Sequence, residues 1–383
     1  MKKLIMIAML VALPLAAFAE VTHIPNTYPS VGRGIRPLGM GNTFLTMKGT
    51  DQNTLYYNPA AIRDYSNKVK WTTGMPVPPF ELSWSVIRLI RDVFNFKDDL
   101  RAQTTTSGKI NVFQTFVDKH IGEFNELEVQ TPLIAAYNRY FYASLITDND
   151  IGISFMNRAF PNFEINARSL AGLMLGSSWG FFDERLEIGA AVKGLYSMQN
   201  NRVITESDIL QNNFDDFKWS NWQRGLGVGV DVGAKYMIHD FGSDIMDTLR
   251  PTIGFTYQDI GNTKFRWMKK NGGPASLQQT INAGVGIHPT FGMVEASLMA
   301  DFREINVKKE FLLKTNFGAE VRFPWLAIQP ALRAGFSQGY PSVGGGLRLW
   351  KLHWNVAYYG REMGMTTREK GSYRIANEFT WIF

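Results

Sequence analysis

Residues 225–238 read Gly-Leu-Gly-Val-Gly-Val-Asp-Val-Gly-Ala-Lys-Tyr-Met-Ile. Leu226, Val228, Val230, Val232, Ala234, Tyr236 and Ile238 fall on one face; Gly227, Gly229, Asp231, Gly233, Lys235 and Met237 fall on the other. A period of two held over this length is a long β-strand with one apolar face and one small or charged face. The pattern returns at 186–196, where Leu186, Ile188, Ala190, Val192 and Tyr196 oppose Glu187, Gly189 and Lys193. It returns again at 294–303 and 315–323, with Glu295, Asp301, Arg303, Glu320 and Arg322 on the polar side. Strands of soluble sandwiches are mostly about 5–6 residues long. Repeated longer runs fit tilted transmembrane strands, with lipid outside and a polar lumen.

Working outward from that segment, the whole chain divides into about fourteen strands: 67–77, 131–147, 150–159, 165–178, 186–200, 224–238, 251–260, 279–288, 293–304, 311–323, 326–337, 341–350, 352–361 and 373–383. The expected fold is all-β, a transmembrane antiparallel barrel over 67–383. Short links at Asp148-Asn149, 179–185, 239–250, Pro289 to Gly292, Pro324-Trp325 and Lys351 alternate with longer ones, as a barrel with both termini in the periplasm requires. Trp179, Phe181, Phe182, Phe241, Phe291, Trp325, Trp350 and Trp354 lie near the short links, where an aromatic girdle belongs. The last strand ends on Phe383 with Phe379 and Trp381 on the same face, which resembles the C-terminal signal read by the barrel-assembly machinery.

Composition agrees. With 45% hydrophobic and 13% aromatic residues the chain is no disordered polymer, and the absence of Cys excludes a disulfide framework and a thiolate metal site. The net charge of +6 is spread singly, with no basic cluster to suit nucleic acid. Met1-Lys2-Lys3, the apolar run from Leu4 to Phe18 and the small-residue site ending at Ala19 read as a cleaved signal peptide, 1–19. An exported chain with this strand pattern is expected in the outer membrane of a Gram-negative-type cell.

Residues 20–66 do not alternate. They hold Gly34, Leu38-Gly-Met-Gly41, Asp51, Leu55 and Tyr57-Asn-Pro-Ala60. Gly39-Met-Gly41 is no dinucleotide loop, because neither a buried parallel strand nor a βαβ unit surrounds it. The stretch resembles the N-terminal hatch of the long-chain fatty-acid transporter (FadL-type) superfamily, whose members include hydrophobic-compound channels and the barrel that shuttles cargo in type IX secretion. The resemblance implies a plug at 20–66 with Gly39, Gly41, Asn58, Pro59 and Ala60 at its gate. It also implies passive, plug-gated passage of fatty-acid-like or aromatic molecules with lateral exit into the membrane. A lateral exit is physically reasonable, since an apolar solute gains by entering hydrocarbon directly. The alternative is a non-transporting barrel that scaffolds or shuttles secreted proteins. For Asn58-Pro59-Ala60, a stiff turn and a gate both remain open.

Residues 78–130 form the largest outer loop, with Trp84, Ile87, Ile90 and Phe94, then Phe113, Phe116, Val117, Ile121 and Phe124, at helical spacing. Two amphipathic helices are expected, either packed on each other or over the mouth, or offering Trp84, Ile87, Phe94, Phe113 and Phe116 for capture of an apolar ligand or a partner. Lys193, Asp231, Lys235, Arg303, Glu320, Arg322, Arg333 and Arg348 are expected to face the lumen, where Lys235→Gln would be mild. A transporter is further expected to hold an internal apolar pocket beneath the outer loops. Enzyme signals are thin. Gly176-Ser-Ser-Trp-Gly180 fits G-x-S-x-G but has no evident Asp and His partners. His23, His120, His239, His288 and His353 lack metal-ligand spacing, and no cofactor is implied.

Overall fold

A computed structural model describes residues 34–48, 53–65, 72–156, 162–205, 208, 219–238 and 244–383. The expected signal peptide, Asp51 and Phe241 lie outside the described residues. The strands are β1 (Thr72–Ser83), β2 (Phe124–Tyr137), β3 (Phe141–Met156), β4 (Asn162–Phe181), β5 (Leu186–Thr205), β6 (Gln223–Met237), β7 (Thr252–Gln258), β8 (Trp267–Lys270), β9 (Thr280–Ile287), β10 (Thr290–Phe291), β11 (Val294–Phe302), β12 (Thr315–Arg322), β13 (Ala331–Ser337), β14 (Tyr340–Leu349), β15 (Leu352–Glu362) and β16 (Gly371–Ile382). Each pairs antiparallel with its neighbour, β16 returns to β1, and β7–β9–β11 pairing completes a closed ring. The short β8 and β10 are appendages, so fourteen strands make the wall. Closure leaves no strand edge, which is what a bilayer demands of a β-structure. Among the described residues no helix is long and apolar enough to cross a membrane.

Alternation sets the two faces. On β6, Gly227, Gly229, Asp231, Gly233 and Lys235 are buried, while Val228 and Val230 are exposed on the outside. Ile188, Val192, Leu173, Leu175, Leu298, Leu332 and Val343 join that outer apolar surface. Trp179, Phe181, Phe182, Phe291, Trp325 and Trp350 stand exposed at the end of the barrel with the short turns.

Residues 311–314 of the expected strand 311–323 form a short helix, and 326–337 is strand only from Ala331. Two boundaries differ more widely. The run 131–147 is not one strand: the chain turns at Asn138, whose Oδ1 accepts from the Tyr140 and Phe141 amides at 2.8 and 2.9 Å. Asp148-Asn149 is correspondingly no turn but the middle of β3. Its Asp148 is buried and meets Arg168 of β4 at 2.6 Å. The Asp-Asn-Asp triplet has turn composition, yet an interior cation satisfies it in mid-strand. The other difference is β1, which runs to Ser83 through Pro76, Pro78 and Pro79, residues that ordinarily exclude a strand interior. The outer loop is therefore 84–123 rather than 78–130. It carries the expected helices, α1 (Trp84–Ala102) and α2 (Thr106–His120), capped by Ser83 and Thr105 side chains that accept from Val86 and Gly108 amides.

Candidate functional site

The N-terminal segment reaches strands around almost the whole ring. The Gly41 amide donates to Ser342 Oγ of β14 at 2.8 Å. The Phe44 and Leu45 amides donate to Asp301 of β11 at 2.8 and 3.1 Å. Gln258 of β7 donates to the Tyr56 carbonyl at 2.6 Å, and Ser178 of β4 to that of Ala60 at 2.9 Å. Ile35 and Leu38 pack on Ala357, Tyr359 and Ala376 of β15 and β16. A segment with partners on so many sides lies inside the barrel.

Three charges on this segment meet the wall. Both oxygens of Glu320 (β12) bind Arg36, at 2.9 and 2.6 Å, and Arg333 of β13 adds a third bond at 2.7 Å. Arg63 forms a fork on Glu184, both bonds at 2.6 Å. Asp64 pairs with Lys235 of β6, which also meets Glu187 of β5 at 2.8 Å. The sequence reading missed Arg36, Arg63 and Asp64. Their signal was present: isolated charges in a segment otherwise small and apolar must find counter-charges wherever that segment is buried.

Asn58 and its neighbours are built into this interior. Asn58 is fully buried; its Nδ2 donates to the carbonyls of Leu45 and, on β6, Ala234, at 2.9 and 3.2 Å. Its Oδ1 accepts from the Ala60 amide at 3.1 Å, capping the 3-10 turn Pro59–Asp64. The wall yields room here by having no side chain: a Cβ on Gly233 would stand 2.2 Å from Asn58 Oδ1. Gly41 has φ +63°, and a Cβ on it would come within 2.4 Å of the Phe317 carbonyl. Both conformation and space therefore require glycine. Gly39 packs backbone to backbone on Gly344 of β14.

The polar residues expected in the lumen are placed as follows. Lys193 is buried between Asp231 and Asp259 at 2.9 and 2.8 Å. Arg303 donates to the Asn42 carbonyl at 3.2 Å and stacks over Tyr57. Arg322 pairs with Glu295 and approaches Glu320 at 3.6 Å. Arg322, Arg333 and Arg348 line a cavity of about 300 Å³ with Tyr137, His353 and Glu378, near the short-turn end. A smaller cavity of about 40 Å³ in the outer half is lined by Glu126, Asp150 and Arg168. The smaller one lies beneath the outer loops, where a transporter's pocket is expected, but has room for little more than water. Ser178, of the G-x-S-x-G match, is buried as the donor to Ala60.

The residues expected to capture ligand divide between two faces. Phe113 is buried and Phe116 stacks on Phe96 at 4.4 Å inside the hairpin. Trp84, Ile87 and Phe94 are exposed on α1.

No family model and no curated protein matches the chain. Solved structures do. The monoaromatic hydrocarbon channel CymD aligns over 93% of this chain and 98% of its own, with 10% identity and a TM-score of 0.53. The fold is shared with that channel. The Ralstonia pickettii toluene transporter TbuX aligns over 92% of this chain and 98% of its own (10% identity, TM-score 0.48), and a Pseudomonas aeruginosa FadL homologue over 96% and 99% (10% identity, TM-score 0.37). At such identity the likeness concerns the fold, and residue roles rest on the geometry above.

Proposed function

We propose that this chain is an outer-membrane barrel that passes hydrophobic small molecules, fatty-acid-like or aromatic, by plug-gated diffusion with exit through the wall. The fold shared with a hydrocarbon channel supports the class. The interior segment supports the gate, since it bonds to strands on several sides of the ring. The observation that carries the reading is an interruption of the β1–β2 ladder. Gly74 pairs with Ala135 and Phe80 with Val129, but no pairing joins 75–79 to 130–134 between them. The β1–β16 ladder shifts register in the same stretch, between Val77 and Phe80. Prolines at 76, 78 and 79 carry no amide hydrogen, which thins the donors β1 can offer along this stretch. Tyr137, just on the short-turn side of the break, lines the 300 Å³ cavity. An apolar solute leaving here enters hydrocarbon without crossing water.

The test restores the donors. In Pro76→Val/Pro78→Ile/Pro79→Val, uptake of labelled toluene by cells carrying only this variant should fall several-fold, with heat-modifiable gel mobility intact. Unchanged uptake places the exit elsewhere.

The ion-paired interior favours a second reading, a barrel that scaffolds or shuttles secreted proteins. It predicts a secreted protein co-purifying with the chain and no change in apolar uptake on its deletion.

A further inference from the structure

The 84–120 hairpin is seated on the outer flank of the barrel. On β3 the even residues Tyr142, Ser144, Ile146 and Asp148 are buried inside, whereas Phe141, Leu145 and Ile151 are exposed outside. Ile153 and Phe155 continue the outer row, since side chains alternate strictly along a strand. Both are covered by the hairpin: Leu89 and Phe96 of α1 and Phe113, Phe116 and Val117 of α2 close over them.

The height of that seat follows from the strand. The step from Phe141 to Ile151, at a rise of about 3.3 Å per residue and a tilt of about 40°, covers roughly 25 Å, the height of an apolar belt. The hairpin thus meets the wall where hydrocarbon gives way to head groups. On the side of α1 away from α2, Trp84, Ile87, Ile90 and Phe94 are 52%, 43%, 54% and 66% exposed, with the exposed Arg91 and Asp98 sharing that side. The row begins directly beyond Phe80, a 41% exposed outward side chain of β1, because α1 starts at the residue after the strand ends. It therefore continues the barrel's lipid-facing surface. Lys97 and Arg101, exposed one and two turns further on, have stems long enough to hold their charges at head-group level.

We propose that the Trp84–Phe94 face of α1 lies in the outer leaflet of the membrane, as an interfacial helix fixed to the barrel wall. Lipid is the occupant because the face is continuous with the wall that lipid covers, and water would leave four large apolar side chains in a row unburied. The inference rests on the membrane setting of the barrel, and the test separates the two.

The chain has no Cys, so single nitroxide labels can be placed without background. The full chain, carrying Ile90→Cys or Phe94→Cys, is reconstituted in phosphatidylcholine/phosphatidylglycerol nanodiscs. Collision with oxygen is compared with collision with a water-soluble nickel chelate. Leu145→Cys reports the lipid-facing wall and Asn111→Cys the exposed face of α2. The oxygen-to-nickel ratio at Ile90 and Phe94 should exceed that at Asn111 several-fold and approach that at Leu145. Values at Phe94 equal to those at Asn111, with Leu145 still lipid-like, overturn the proposal and leave the barrel reading standing. Water-like values at Leu145 and Phe94 together overturn both. Dipolar broadening between Phe94 labels in vesicles holding many copies also overturns it, in favour of a second copy of the chain.

Discussion

Arg36 and Glu320 form a two-bond fork inside the barrel, at 2.9 and 2.6 Å, between residues 284 positions apart in the chain. The same carboxylate accepts from Arg333, so one side chain holds the interior segment to two wall strands. Removing one partner of a buried pair costs about 3–5 kcal/mol, because the remaining charge is left buried. Here Arg333 still serves Glu320. Arg36→Met should therefore release the segment while sparing the wall. In outer-membrane vesicles, residues 34–65 should become protease-sensitive with unchanged heat-modifiable mobility; failure of assembly would contradict this.

Asn58→Ala removes both Nδ2 bonds and leaves the Leu45 and Ala234 carbonyls without that donor, at about 1–3 kcal/mol for each group left unsatisfied. Pro59→Ala loosens the 3-10 turn that follows. Both variants should alter uptake of a labelled apolar solute while the barrel assembles, since the ring of ladder bonds does not include them. Loss of assembly would make the motif structural only.

Val230 is exposed on the outer face of β6, so Val230→Arg should cost roughly 2–4 kcal/mol near the bilayer midplane. Lys235→Gln, which alternation alone makes a mild change, should be severe: Lys235 is buried between Asp64 and Glu187. Lys235→Met with Asp64→Leu and Glu187→Leu should lose less than Lys235→Gln, because the whole charge cluster is then gone. Denaturant titration of refolded barrels in vesicles gives the ranking, and a harmless Lys235→Gln would refute the ion-pair account.

At the short-turn end, the hydrogen bonds from Arg63 hold the Glu184 carboxyl below the usual carboxylate range. A lowered folded pKa gives a contact that is complete above the unfolded value, about 4.3, and is lost as pH falls through the lower folded one. Amide exchange of residues 59–65 should thus be unchanged between pH 7 and 5 once corrected for intrinsic rates, and quicken only below about pH 4. Quickening near pH 6 would assign control to another group.

Much of the barrel was legible because a lipid-facing wall forces alternation, as at 225–238, where all the large apolar residues but Met237 share one face. Legibility failed where the interior overrides local chemistry. Asp148-Asn149 has turn composition but sits mid-strand, because Arg168 is across the ladder. Pro76, Pro78 and Pro79 spoke against a strand, yet β1 passes through them by leaving its ladder open. In the interior, Asn58 and Gly41 stood out in sequence, whereas Arg36 acquires meaning only from a carboxylate far along the chain. The hairpin divided similarly: spacing located both helices, but not that Phe113 would be buried and Phe94 exposed.

The proposed passage of apolar molecules through this barrel is open to direct measurement. The direct measurement is uptake of labelled toluene and a labelled long-chain fatty acid, with sucrose as the polar control, by cells lacking the chain and by the same cells regaining it. At least one apolar solute should enter several-fold faster on its return while sucrose is unaffected. Equal apolar uptake with and without the chain, or a rise in sucrose entry matching the apolar rise, would contradict it.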